Sequence, residues 1–234
     1  ALIGVVMAVE TAVAHLERKI GALKLDLKGT IRLTCPEPTV PRIAASGLLD
    51  RFHARYPGLA VEFVTSDRYL DLARGEADVA FRSGEPTDES LVGRKICDSV
   101  WAIYASKSYI QQHGRPQRIP DLSAHALIGF AGIMQNHRVA KWLPTAVPEA
   151  HIVSRSSSML GVVSSVKAGV GVAPLPTTLG DAEDILVQVL PPVEELTRSW
   201  YLLTPPDLRR TPRIAAFVDC ILDDIPALRA ALIG

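Results

Sequence analysis

Cysteine is scarce in this chain, and what there is does not cluster: Cys35, Cys97 and Cys220 are three, widely separated, with no C-x-x-C spacing. An odd, scattered set builds neither a disulfide framework nor a zinc site, so a reducing, cytoplasmic setting is expected, with no metal. Charge of one sign is also missing. Lys+Arg and Asp+Glu balance at 25 each, so no overall basic field draws the chain to a phosphate backbone. No uncharged apolar run reaches about 18 residues, which excludes a spanning helix and a membrane partner. Motifs of common catalysis are absent as well: no H-E-x-x-H, G-x-S-x-G, Walker or G-x-G-x-x-G stands in a fitting context. The run Ala168 to Ala173 (AGVGVA) follows a helical pattern instead of opening one, so it is not a dinucleotide fingerprint. Cys35 beside Pro36 has the makings of a nucleophile, but six histidines offer no spacing that selects a partner, and a buried cysteine is the plainer reading. No catalytic residue and no cofactor are therefore expected.

What is present is an ordinary globular mix, 48% apolar and 21% charged over 234 residues, enough for one large domain or two small ones. The first line carries a regular seam. Leu2, Val6, Val9, Val13, Leu16, Ile20, Leu23 and Leu27 are spaced alternately four and three residues apart, a heptad strip that needs a partner surface. A secretory signal would show a basic segment ahead of its apolar core and would stop at its cleavage site, whereas this pattern runs through HLERKIGALKLD. Residues 1–28 are read as a dimerisation helix that ends near Gly29, the alternative being an amphipathic helix packed on its own domain.

After Gly29 strand and helix patterns alternate. Ile31 to Thr34 is a strand, PRIAASGLLDRFHARYP a helix, LAVEFVTS a strand, YLDLARGEA a short helix stopped near Gly75, and DVAFRSG a third strand. That β-α-β-α-β order is the pattern of a parallel sheet covered by helices. Extended and helical patterns continue: Val100 to Ala105, HALIGF, HIVSRS, a helix from SSMLGVVSSVKAG into VGVAPLP, then DILVQVLP, SWYLLTP and a terminal helix pair broken at Pro226. Asp219, Asp223 and Asp224 fall at helical spacing and read as a solvated face.

Four stretches in order, RFHARYPGLAVEF, LDLARGEADVAFRSGEP, SLVGRKICDSVWAIYAS and SSMLGVVSSVKAGVGVAPLP, resemble the effector-binding domain of LysR-type transcriptional regulators. The heptad helix resembles that family's linker helix, which pairs with a second subunit. The family's winged helix-turn-helix, normally just ahead of the linker, is not in this chain.

The resemblance implies an α/β fold of two Rossmann-like subdomains with a cleft between them, like a type 2 periplasmic binding protein. It places one subdomain at residues 30–98 plus 205–234 and the other at 99–204. It further implies a small-molecule effector in the cleft, a homodimer or homotetramer, and DNA contact only through the missing N-terminal domain. A solute-binding protein of a transporter, which shares the fold, is the alternative.

The loops that follow the strands name the candidate effector site: Pro36, Glu37, Pro38 and Thr39; Thr65 and Ser66; Arg82, Ser83 and Gly84; Ala131 and Gly132; and the helix start at Ser156, Ser157 and Ser158. Ligands of open parallel sheets bind outside the carboxyl ends of strands, where helix N-termini add unpaired N–H groups. Donor-rich strand ends favour an anion, while Glu37 favours a donor group on the ligand or a pairing with Arg42. A small polar organic effector is expected, its charge open.

Overall fold

The computed structural model describes residues 27–86, 88 and 90–233, and the expected dimerisation residues Leu2 to Leu23 lie outside them. Leu27 is described and packs, half-buried, on the first hydrophobic core.

The first sheet has five strands in the order β2-β1-β3-β10-β4. Strands β1 (Gly29–Cys35), β2 (Leu59–Thr65) and β3 (Val79–Ser83) are parallel, because helices α1 (Val40–Ala45) and α2 (Leu48–Arg55) carry the chain back between the first two. The expected single helix over PRIAASGLLDRFHARYP is thus two, parted at Gly47, whose φ of +68° lies in the left-handed region that glycine enters without a Cβ clash. Phe52 of α2 meets Phe217 edge-on at 5.1 Å and Tyr56 at 5.4 Å, and all three are buried. Such aromatic contacts add to the area they remove from water.

The helix expected at YLDLARGEA does not form. Carboxylates win that backbone: Glu76 accepts from the Asp71 N–H at 2.6 Å and Asp71 from the Arg74 N–H at 3.1 Å, which turns the chain at Leu72–Gly75.

Strand β4 (Val92–Ser99) runs into β5 (Trp101–Ser106), and there the chain leaves the first sheet. The second layer holds a three-stranded antiparallel sheet, β8 (Ala173–Pro176), β5 and β9 (Leu186–Leu190), and a parallel pair, β6 (Ala126–Phe130) and β7 (His151–Ser156). A bridge from Leu127 to Val172 stitches the two together. Around them lie α3 (Lys107–His113), α4 (Arg138–Ala146), α5 (Met159–Lys167) and the short α6 (Thr177–Gly180). Helix α4 has no counterpart in the sequence reading: it is nine residues long with Pro144 inside its last turn, a residue that ordinarily argues against a helix.

The return crossing is made by a strand. β10 (Arg198–Thr204) is hydrogen-bonded between β3 and β4, so the chain is back in the first sheet at Arg198, ahead of the expected change at residue 205. The reason is local pairing: Arg198 sits opposite Ser99, and the incoming strand lies beside the outgoing one.

Helices α7 (Pro212–Asp223) and α8 (Ile225–Ile233) then close the first core. Their break is at Asp224, two residues before the expected Pro226, which occupies the first turn of α8 where its missing N–H costs nothing.

Two cores result. One gathers Ile31, Phe52, Phe81 and Phe217, the other Ile103, Tyr104, Val166 and Leu175. Among the described residues no helix is long and apolar enough to cross a membrane.

Candidate functional site

A cleft of about 760 Å³, its open mouth included, lies where the two cores face each other. Its first wall is built by strand ends. Beyond β1 the chain enters a 3-10 turn, Glu37–Thr39; Pro36 just before it and Pro38 within it have fixed φ and hold a stiff rim. Beyond β2 come Asp67 and Tyr69, and β3 contributes Arg82 and Ser83.

Arg82 is only 4% exposed. Its Nη1 donates to the Ser66 carbonyl at 2.6 Å, and its Nη2 donates to the Thr34 hydroxyl at 2.7 Å and the Arg68 carbonyl at 2.8 Å. Every one of these acceptors is neutral, and Nε has no partner. Burial pulls the Arg82 pKa down, with the fields of Cys35, Tyr69 and Asp67 opposing. Tyr69 lies over the guanidinium, 5.6 Å from ring centre to Cζ, and its hydroxyl donates to the Ser83 carbonyl.

A second guanidinium, Arg42, lines the same wall from α1 and reaches the Ala231 carbonyl at 3.4 Å. Burial lowers its pKa too. Asp67 shows the opposite effect: burial raises its pKa, while the Met159 backbone N–H and the Arg82 charge pull it back.

The second wall is largely apolar and comes from the other core: Trp101, Met134, His137, Met159, Pro176 and Leu179. Trp101 is fixed by its indole N–H, which donates to the Ser99 hydroxyl at 3.2 Å. His137 is held between Trp101, 5.1 Å away, and Phe130, 5.3 Å away. Its Nδ1 accepts from the Val139 N–H at the start of α4, so the hydrogen of the neutral ring sits on Nε2. Burial, with the charges of Arg138 and Arg198 adding to it, pushes its pKa down to about 4.

Of the residues expected from the sequence, the cleft brings together Pro36, Pro38, Thr39, Arg82 and Ser83. Others stand back from it. Glu37 and Thr65 are exposed; Ser66 accepts Arg82 on its carbonyl and the Arg68 N–H on its hydroxyl; Gly84 is buried with its N–H on the Ser199 carbonyl. The Ala131 N–H donates to the Ser156 carbonyl at 2.7 Å, and Gly132 opens the 3-10 turn that delivers Met134 to the wall.

The serine cluster spends its donors internally. Ser156 Oγ donates to the Ser158 carbonyl at 3.1 Å, Ser158 Oγ caps the Gly161 N–H at 3.2 Å, and Ser157 is exposed. The helix start still faces the cleft, but through Met159 and toward Asp67.

The sequence reading missed Asp67, Tyr69, Trp101, His137 and Trp200. Asp67 is one residue beyond the expected Thr65-Ser66 pair and was within reach of the same strand-end argument. The tryptophans were not, because nothing in a strand pattern tells which face meets a cleft.

Comparison with known proteins fits this geometry. A family model described as the LysR substrate binding domain matches residues 25–226. The chain belongs to that family. Among curated relatives, the transcriptional regulator CrgA of Neisseria meningitidis serogroup C (strain 8013) is 34% identical over 103 residues, covering 44% of this chain and 34% of that protein. The transcriptional activator AaeR of Escherichia coli (strain K12) is 29% identical over 153 residues, 63% of this chain and 48% of that one. This LysR-type domain thus spans about a third of the length of the first relatives it matches. Among solved structures, the regulatory domain of Neisseria meningitidis CrgA is 26% identical with a TM-score of 0.67, covering 85% of this chain and all of that one. The longer CrgA structure gives a TM-score of 0.72 at 24% identity, over 94% and 76% of the two chains. The relatives are transcriptional regulators, so the solute-binding-protein alternative is not favoured, and the two-lobed α/β fold is that of LysR-type regulatory domains.

Proposed function

We propose that this LysR-type domain is the sensing and self-associating part of a DNA-binding transcriptional regulator, and that a small organic effector held in the cleft changes the angle between its two halves. The observation that carries the reading is the cleft itself: a buried Arg82, hydrogen-bonded to neutral oxygens with its Nε unpartnered, on one wall and an apolar face with a polar tip at His137 on the other. The halves are taken as residues 29–99 plus 198–233 and residues 101–196, joined by two crossings that lie side by side at Ser99 and Arg198. A ligand moves such an equilibrium only by binding one arrangement more tightly than the other. The heptad strip at the start of the sequence supports self-association, as a homodimer or homotetramer, through which the angle reaches the DNA readers of the full protein.

Thermal-shift screening of organic metabolites against the wild-type chain and against Trp200→Ala and Ser83→Leu tests the reading. Hits whose shift is lost in both variants are expected. Hits indifferent to both place the ligand elsewhere and overturn it.

A further inference from the structure

A second cavity, of about 730 Å³ with its open mouth included, lies on the far face of the first sheet. Side chains alternate along a strand. In β3 and β10, Val79, Phe81 and Leu202 turn toward the core that α1, α2, α7 and α8 complete, whereas Ala80 and Leu203 turn the other way. With Leu72 and Ala77 those two form a small third cluster, to which, among the described residues, no helix contributes. A turn at Leu72–Gly75 stands where the sequence reading placed a helix, so this face is covered by loops alone.

The floor of the cavity is apolar, from Leu72, Ala80, Leu91 and Leu203. Tyr69 and Arg82 line both this cavity and the cleft, so the two share a wall. Arg82 spends its Nη atoms on Ser66, Thr34 and Arg68, and Nε is the one nitrogen of the group left without a partner. A buried donor without an acceptor is costly, and a ligand that brings the acceptor recovers that cost. The charges select the kind of acceptor. Asp71 and Asp88 also line the cavity, so against one guanidinium stand two carboxylates, and an anion is repelled by the excess. A cation meets Arg82 and finds both carboxylates already engaged, Asp71 with Arg74 at 3.3 Å and Asp88 with the Ser90 N–H at 2.9 Å.

We infer that this cavity is a second ligand site, for a neutral molecule with a compact apolar body and one acceptor oxygen, such as a ketone or ester. The body rests on Ala80 and Leu203, and the oxygen accepts from Arg82 Nε. Tyr69 lies over the guanidinium yet is 61% exposed, so its ring swings outward to admit the oxygen without disturbing the core beneath the sheet.

Calorimetric titration of the 234-residue chain with cyclohexanone, cyclohexene, cyclohexylamine and cyclohexanecarboxylate tests this, since the four share a six-membered ring and differ in acceptor and charge. Cyclohexanone is expected to exceed cyclohexene in affinity roughly tenfold, the size of one hydrogen bond to a charged donor. Leu91→Asn, at a half-buried position just ahead of β4, is expected to weaken cyclohexanone roughly tenfold by making the floor polar. Ala80→Leu, which fills the floor, is expected to abolish its binding. Trp200→Ala, which alters the cleft and not this cavity, is expected to leave it unchanged. The two charged probes are expected to give no binding that Leu91→Asn removes.

Cyclohexanone binding that survives Leu91→Asn, or that vanishes in Trp200→Ala, overturns the proposal. So do equal affinities for cyclohexanone and cyclohexene, a charged probe whose binding Leu91→Asn removes, or no saturable binding of the ketone at millimolar concentration. Leu91 lies outside the strands, so its variant decides even where Ala80→Leu does not fold.

Discussion

Arg82 donates from Nη2 to the hydroxyl of Thr34 at 2.7 Å, tying together the carboxyl ends of the adjacent parallel strands β1 and β3. Both residues are buried, so the bond is made out of water. Removing the acceptor leaves a buried donor with less to bind, which costs more than a bond lost at the surface. Thr34→Val is expected to lower stability by about 1–2 kcal/mol, and Thr34→Ser to keep most of it. Urea unfolding decides: the midpoint falls in the valine variant while the slope stays constant.

His137 gives the domain an acid-side weakness. The unfolded chain takes up a proton near the ordinary value of 6.5, whereas the folded ring resists until about 4. Between those values the unfolded state binds more protons, so stability falls as pH is lowered through the window and rises again with pH. The full effect is about 3 kcal/mol. Asn at this position still accepts the Val139 N–H and cannot titrate, so His137→Asn is expected to flatten the slope of unfolding free energy between pH 6.5 and 4, whatever its stability at neutral pH. An unchanged slope assigns the acid sensitivity to other groups.

The three cysteines are expected to be silent. Cys35 is fully buried and its thiol is pushed up to about 12 by burial, against a smaller pull from Arg82. Burial raises Cys97 to about 11 and also raises Cys220. The thiolate is the reactive form, so Ellman's reagent at pH 8 is expected to find no fast thiol in the folded chain and three after denaturation. A fast-reacting Cys35 in the folded protein contradicts this.

Gly180 closes α6 against the ring of Tyr104, where a Cβ would come within 2.3–2.6 Å of three ring carbons. The ring has nowhere to go, being 1% exposed with its hydroxyl on Asp181 at 2.6 Å. Gly180→Ala is expected to cost about 1–3 kcal/mol by overpacking, read as a fall in the thermal midpoint. Tyr104→Phe in the same background keeps the clash and loses only the hydrogen bond, so it gives no rescue.

The order of strands and the family resemblance were legible because both rest on apolar periodicity and on turn residues such as Gly29 and Gly75, which act over a few positions. The turn at Leu72–Gly75 was misread because two carboxylates outbid helix hydrogen bonds, a competition that apolar spacing does not record. The site was half legible. Strand-end loops pointed to Pro36, Thr39, Arg82 and Ser83, which follow from topology, but not to Trp101, His137 and Trp200, which reach the cleft through packing between segments far apart in sequence. The serine cluster misled for a related reason: Ser158 is a good cap, and a cap that serves its own helix has little left for a ligand.

The two crossings between the halves lie side by side, with Arg198 opposite Ser99 and the Trp101 and Thr197 carbonyls held by Val193 and Arg138. Two adjacent strands resist sliding and twisting but bend together about one line. If the halves move as proposed, the joint has a single coordinate, and everything the cleft learns about its occupant must be reported as one angle. Chemically unlike molecules that hold the same angle would be indistinguishable downstream, so the discrimination has to be finished inside the cleft, before the message leaves it.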